Sequence, residues 1–400
     1  MLNDRERALV KGTVPILREH GETLTRHFYA RMFKYNSELK HLFNESNQTN
    51  GQQQKALAMA VLAYAENIDD PTVLLPVLER VTHKHASIGI RAEHYPIVGK
   101  HLLASIGEVL GDAASDELIA AWAAAYQQLA DIFISLESDL YRAAANAEGG
   151  WSGWRPFKVG RRVEESDEIA SFYLTPVDAA SLPHFKPGQF VSVRGLAGTD
   201  GYVQPRQYSL SDAPNGLYLR LSVKRERDGR VSNWMHDTAH EGTIIELSPP
   251  FGNFTLSGDI DKPLVLISGG VGLTPMVSML NHVVASQPAR KVVFVHGARH
   301  GGVHALSDHV RATARRHPQL SVKIFYETPG ALDRSGEHYD QVGRVDLAAI
   351  RDVAIVEDAD YFVCGPVPFM QAQIGALQAA GVAQNRIHYE VFGSDTGLAA

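Results

Sequence analysis

Glycine and proline cut this chain into two unlike parts. Only 7 of its 34 glycines and 4 of its 19 prolines precede Gly149, although that stretch holds more than a third of the 400 residues. A segment so poor in turn formers supports long helices, whereas the crowded remainder predicts short strands separated by turns. At the seam, Ala143-Ala144-Ala145-Asn146-Ala147-Glu148-Gly149-Gly150-Trp151 reads as a helix tail closing on a glycine pair, so a domain boundary is expected near 148–151.

The remainder itself changes pattern. Residues 190–193, 218–223 and 243–247 alternate apolar with polar side chains between Gly, Pro and Asp clusters, which predicts an antiparallel sheet or barrel. Beyond Asp261 the rhythm becomes strand, glycine turn, helix, with strands expected at 264–267, 292–295 and 361–363, as in a parallel α/β sheet. The fold class expected is therefore multidomain: all-α, then antiparallel β-barrel, then α/β. At roughly 100–200 residues per domain, the length agrees.

Composition narrows the function. A hydrophobic share of 44% and a charged share of 21% are those of an ordinary globular chain. The longest apolar runs, such as 56–65, stop at about ten residues, short of the ~20 that span a bilayer, so no membrane span is expected. Charges of both signs in Met1-Leu2-Asn3-Asp4-Arg5-Glu6-Arg7 leave no secretory h-region. The single cysteine, Cys364, rules out an internal disulfide and fits a cytoplasmic location. A net charge of −7 without a basic block argues against nucleic acid, leaving small molecules as the expected partners.

Three polar residues in the helical part stand where apolar ones belong. Leu78 and Val81 begin a stripe whose next position is His85, whereas His83, ~200° around the helix, faces elsewhere. A lone histidine on an apolar face is more often a satisfied core residue than a ligand. Gln53 and Leu57 share one face of another helix; Gln53 can either donate a hydrogen bond into a pocket or be one more exposed member of the 52–54 glutamine run. Glu137 shares a face with Tyr126, Phe133 and Tyr141, and a carboxylate on an aromatic stripe requires a hydrogen-bond partner.

Taken with His27-Phe28-Tyr29-Ala30-Arg31-Met32-Phe33, Leu42-Phe43-Asn44, Ser46-Asn47-Gln48, Lys84-His85 and Tyr95-Pro96-Ile97-Val98-Gly99, residues 1–148 resemble a globin, specifically the haem domain of bacterial flavohaemoglobins. The resemblance implies that His85 is the proximal haem ligand, that Phe43 packs on the haem, and that Tyr29, Gln53 and Leu57 line the distal pocket. Tyr95 and Glu137 become the partners that orient the His85 ring.

The second part carries three candidate ligand tracts. Pro205-Arg206-Gln207-Tyr208-Ser209-Leu210-Ser211 offers an Arg for pyrophosphate, a Tyr to cover a ring and a Ser for ring nitrogen or carbonyl. Gly229-Arg230-Val231-Ser232 runs into a helix start whose backbone N–H groups suit an anion. Leu264-Val265-Leu266-Ile267-Ser268-Gly269-Gly270-Val271-Gly272-Leu273-Thr274-Pro275 is a strand, glycine turn and helix start of nucleotide-site design. These tracts resemble the ferredoxin reductase superfamily. By that resemblance Phe190 (often Tyr in flavohaemoglobins), Arg206, Gln207, Tyr208, Ser209, Gly229, Val231 and Ser232 hold FAD. Gly270, Val271, Gly272, Leu273, Thr274 and Pro275, with Cys364, Gly365 and Pro366, take NADH or NADPH. Phe392 and Gly393 cover the flavin, and Glu390 lies near the flavin–haem gap opposite Lys84, which is otherwise an ordinary solvated lysine.

The domains expected are globin at 1–148, FAD barrel at 149–260 and NAD(P)H domain at 261–400. The function the resemblance implies is nitric oxide dioxygenase: a monomer converting NO and O2 to nitrate with electrons from NAD(P)H through FAD and haem b iron. Lipid binding in the distal pocket and hydroperoxide reduction are linked with the family, and no motif here decides them. Two other readings remain at this stage, an oxygen or NO sensor, which needs no flavin tract, and a flavin reductase, which needs no His85. Arg299 and His300 follow the 292–295 strand where a coenzyme ribose can sit, so both coenzymes are expected to work, with NADH modestly preferred.

Overall fold

The computed structural model describes residues 2–42, 51–195, 203–256 and 260–393. Among the described residues, the elements of its first part are helices: Asp4–Gly12, Val14–Tyr35, Gln52–Glu66, Leu75–Ile88, His94–Leu110 and Asp116–Asn146. Local chemistry sets several of these ends. Asn3 and Glu6 form a reciprocal capping box, Ser115 caps the last helix through Leu118 N–H, and the helix Leu75–Ile88 stops at Gly89, whose φ of +82° suits glycine. Phe28, Met32, Trp122 and Ala125 sit at the centre of the helical core. The helices His94–Leu110 and Asp116–Asn146 cross closely at Gly99, where a Cβ would fall 2.5 Å from the Tyr126 ring.

Six antiparallel strands follow: β1 (Arg155–Glu164), β2 (Ile169–Pro176), β3 (Phe190–Arg194), β4 (Arg206–Ser209), β5 (Leu219–Lys224) and β6 (Ile244–Leu247), ordered β4-β3-β6-β1-β2-β5. A bridge between Leu210 and Leu221 joins the two outer strands and closes the sheet into a barrel. Its core holds Phe157, Phe172, Leu174 and Leu221, and the helix Arg230–Thr238 adds Val231 and Met235.

The last part is a parallel sheet, β7 (Leu264–Gly269), β8 (Val292–Ala298), β9 (Leu320–Tyr326), β10 (Gln341–Val342), β11 (Asp360–Cys364) and β12 (Ile387–Glu390), ordered β10-β9-β8-β7-β11-β12. Alternate residues of β7 enter two different cores. Leu264 and Leu266 pack on the helix Leu273–Ser286, while Val265 and Ile267 share the other core with Met370 and Ile374 of the helix Val367–Ala379. Burial on both faces explains the unbroken apolar run. The strand order reverses beside β7, which places the ligand crevice at the glycine turn that follows it. The expected class therefore holds. The sequence reading did not include β9 and β10, which extend the β8 edge. Among the described residues, no helix is long and apolar enough to cross a membrane.

Candidate active site

The helix Leu75–Ile88 turns His85 toward the helical core. His85 Nδ1 lies 2.9 Å from Glu137 Oε1, and the Tyr95 hydroxyl donates to the same oxygen at 2.5 Å. Tyr95 is also 3.3 Å from Nδ1, and the His85 and Phe133 rings approach to 5.4 Å. Glu137 is 2% exposed; the two donors satisfy its Oε1, while its buried Oε2 has no hydrogen-bond partner among the described residues. Burial, and then the neighbouring Glu137, push the Tyr95 hydroxyl far up, which keeps it a donor. Because a carboxylate accepts, Nδ1 carries the proton and Nε2 is left for a ligand. Glu137→Gln is expected to weaken the iron–histidine bond and raise the haem potential by about 59 mV, the one-electron equivalent of a tenfold change. Resonance Raman of the ferrous protein reads the bond directly; an unmoved iron–histidine stretch would show that this hydrogen bond does not tune the ligand.

Tyr29 of the helix Val14–Tyr35 is 6% exposed and hydrogen-bonded to Gln53, with its hydroxyl pushed up by burial. This contact separates Gln53 from its exposed neighbour Gln52. Leu57, one turn on, packs against the main helical core. Phe43, with Asn44, Ser46, Asn47 and Gln48, lies outside the described residues.

A single cavity of about 940 Å³ joins these groups to the reductase part. Gln53, Lys84 and His85 lie on its helical wall; Phe190, Arg206, Gln207, Tyr208, Ser209, Gly229, Val231 and Ser232 on its barrel wall; Val271, Thr274, Glu390, Phe392 and Gly393 close it from the last domain. Tyr29, Leu57, Tyr95 and Glu137 are not among the residues lining it. Gly270, Gly272, Leu273, Pro275, Cys364, Gly365 and Pro366 also lie outside the wall. The volume is at the upper end of the ~300–1,000 Å³ usual for one ligand. The wall also carries Arg80, Lys224, Arg227 and Arg230, cations suited to phosphate or carboxylate groups, which the sequence reading did not single out.

Strand pairing fixes the flavin tract. Ser209 pairs with Phe190 and Tyr208 with Val191 across β3 and β4. The Arg206 guanidinium is steadied by the Pro205 carbonyl and Gln204 Oε1, each at 2.9 Å, and burial pushes the Tyr208 hydroxyl up. Glu226 N–H donates to Ser232 Oγ at 3.2 Å, and this hydroxyl in turn donates to the Gly229 carbonyl at 3.2 Å, holding the helix start against the loop before it.

The glycine turn after β7 divides its labour. Gly270 has φ +55° and open space where a Cβ would point, whereas a Cβ on Gly272 would fall 2.3 Å from the Cys364 carbonyl. Gly272 thus lets the turn press on the end of β11, and Gly270 leaves room for a ligand. Cys364 is fully buried, and burial with the charge of Glu390 holds its thiol well above the ordinary range, so it is no nucleophile. Lys84 Nζ donates to the carbonyls of Gly393 at 2.9 Å and Val391 at 3.4 Å, residues that directly follow Glu390.

Arg299 ion-pairs with Glu168 of the barrel. A 2′-phosphate arriving there would meet a cation already neutralised. Glu168→Gln is expected to raise kcat/KM for NADPH about fivefold, the scale of one exposed ion pair, with NADH changed less than about twofold. A wild-type preference for NADPH above about a hundredfold would mean that the coenzyme phosphate is read elsewhere.

Comparison with known proteins follows the same three-part order. The globin family profile matches residues 26–133, the oxidoreductase FAD-binding domain 156–256 and the oxidoreductase NAD-binding domain 266–374. The flavohemoprotein of Bordetella parapertussis is 59% identical over 399 residues, covering 98% of this chain and 99% of the relative. That of Chromobacterium violaceum is 58% identical over 403 residues, covering 99% and 100%. Among solved structures, flavohemoglobin from Malassezia yamatoensis with bound FAD and heme superimposes with a TM-score of 0.88 at 28% identity, over 98% of this chain and 100% of that one. The FAD/NAD binding domain of nitric oxide dioxygenase from Vibrio cholerae gives 0.55 at 34% identity, over 60% and 98%.

Proposed function

From the premise that this chain belongs to the flavohemoprotein family, an oxidoreductase family using haem, FAD and NAD(P)H, we propose that it is a nitric oxide dioxygenase of the cytoplasm. The balance is two NO, two O2 and one NAD(P)H giving two nitrate, NAD(P)⁺ and a proton. When bound, the flavin converts a hydride into single electrons and the haem iron activates dioxygen toward nitric oxide. The protein's part is positioning and electrostatics. His85 offers Nε2 as the iron ligand while Glu137 and Tyr95 hold its Nδ1 proton, which makes the imidazole a stronger donor. Tyr29 and Gln53 supply hydrogen bonds on the opposite side, with Leu57 as apolar wall.

Arg206 pairs with pyrophosphate, joined by backbone N–H groups from Gly229, Val231 and Ser232, while Tyr208, Ser209, Gln207 and Phe190 contact the flavin ring system. Gly270, Val271, Gly272, Leu273, Thr274 and Pro275, together with Cys364, Gly365 and Pro366, form the nicotinamide dinucleotide crevice. Phe392 and Gly393 cover the flavin face, and Lys84 and Glu390 set the field at the junction. On this reading the divisions at 148/149 and 260/261 separate three working units of a monomer.

The observation that carries the proposal is that His85 and the Arg206–Ser209 strand share the wall of one cavity, which neither a sensor nor a bare flavin reductase requires. NO consumption by the purified protein tests it: consumption should need NADH and O2 together. Equal consumption without NADH would favour a sensor or carrier.

A further inference from the structure

The His85 helix has a second polar face. Arg80, His83, Lys84 and Ser87 follow the i, i+3, i+4, i+7 spacing of one helical stripe, turned away from the Leu78, Val81, His85 stripe. All four meet the reductase part. The Arg80 guanidinium lies 5.2 Å from the centre of the Tyr389 ring. His83 Nδ1 accepts from Gly252 N–H at 3.0 Å, and Lys84 reaches Gly393 as described.

Ser87 is the innermost of the four. It is fully buried, and its hydroxyl uses its whole capacity. Ser87 Oγ donates to the Lys84 carbonyl at 2.8 Å, accepts from Ser192 Oγ of β3 at 2.9 Å, and accepts from Gln207 Nε2 of β4 at 3.2 Å. Ser192 is itself fixed, since its N–H donates to Ser248 Oγ at 2.8 Å. Ala86, Phe190 and Phe251 form a small apolar patch in the same contact. One hydroxyl therefore ties the peptide joining Lys84 to His85 to the strand that carries Arg206, Tyr208 and Ser209.

We propose that Ser87 is a positioning residue for electron transfer: its three hydrogen bonds hold the His85 helix at fixed distance and orientation against β3 and β4, and so set the rate at which electrons cross. This rests on reading His85 and Arg206–Ser209 as the haem and flavin sites. At each crossing one electron leaves the reduced flavin and a ferric iron becomes ferrous; the hydride of NAD(P)H supplies both electrons in turn, and over the two crossings the flavin releases one proton to water. Removing the hydroxyl strands the buried Ser192 hydroxyl and takes one partner from the more exposed Gln207 amide, so the His85 helix and β3 must shift to satisfy Ser192.

The test is anaerobic rapid mixing of holoenzyme with NADH under carbon monoxide, following flavin bleaching and haem reduction separately. In Ser87→Ala, haem reduction should slow about tenfold while flavin reduction changes less than about twofold. The iron–histidine stretch and haem potential should stay in place, and hydrogen exchange should quicken in 83–88 and 190–193. Ser87→Thr, which keeps the hydroxyl, should restore the rate. Ser192→Ala should slow haem reduction by less, and adding it to Ser87→Ala should cost little more, because its contribution passes through Ser87.

Unchanged haem reduction in Ser87→Ala overturns the proposal. So does a slowed rate with a shifted stretch or potential, which would mean that Ser87 acts through the His85 ligand instead. If Ser87→Ala does not fold, Ser192→Ala decides, and an unchanged rate there is equally fatal. Absence of haem or flavin from the wild-type protein would refute the cofactor sites, while the exchange comparison would still show whether Ser87 holds the contact.

Discussion

His85→Ala should leave a protein that retains less than about a tenth of the wild-type haem after gel filtration, since loss of the one axial imidazole also strands its supporting carboxylate. Glu137, 2% exposed, would keep only the Tyr95 hydroxyl at 2.5 Å. NADH oxidation with ferricyanide as acceptor should stay within about twofold of wild type, because two-state domains with separate cores respond separately to distant changes. The barrel core built on Phe157, Phe172 and Leu174 shares no residue with the helical cores around His85. Haem content and ferricyanide reduction measured on one preparation check both halves. Joint loss of the two activities would mean that the reductase needs the haem domain to fold.

The second large effect concerns the flavin. Arg206→Ala combined with Ser209→Ala should weaken FAD binding by roughly a hundredfold or more, since each charge-assisted hydrogen bond is worth ~1.5–3 kcal/mol. Arg206 is held in place by Pro205 and Gln204 before any ligand arrives, so the lost contact is a pre-organised one. Chemically reduced protein should still bind carbon monoxide with the wild-type spectrum. Flavin fluorescence released on dilution measures the affinity; full FAD occupancy in the double variant would remove the assignment of this strand.

Much of this was legible in the sequence for physical reasons. Scarce turn formers revealed the helical part, and β7 read as a buried parallel strand because neither face of it meets water. Glu137 stood out because a carboxylate among Tyr126, Phe133 and Tyr141 violates the pattern of its own helix, and the violation has a structural answer in His85 and Tyr95. Gln53 gave no such signal. Its neighbours are also glutamines, and it is distinguished by two features the local sequence does not show: the contact with Tyr29, 24 positions earlier, and its place on the cavity wall.

The domain contact was illegible for the opposite reason. Arg80, His83, Lys84 and Ser87 form a polar stripe, which on one helix means solvent, and nothing local says that a barrel covers it. His83 is the clearest case: burial, helped by the charge of Lys186, lowers its pKa to about 4, so it remains a neutral acceptor for Gly252. β9 was missed because its 320–326 run alternates only at first, and its register depends on β8 rather than on its own pattern.

The claim that the cavity serves one dioxygenation is tested most directly by supplying NADH, nitric oxide and heavy-isotope dioxygen to the purified protein and weighing the nitrate. Both atoms of dioxygen should enter each nitrate, with one NADH consumed per two nitrate and no activity in His85→Ala. Nitrate carrying a single heavy oxygen, or nitric oxide removed at the same rate without dioxygen, would contradict the account.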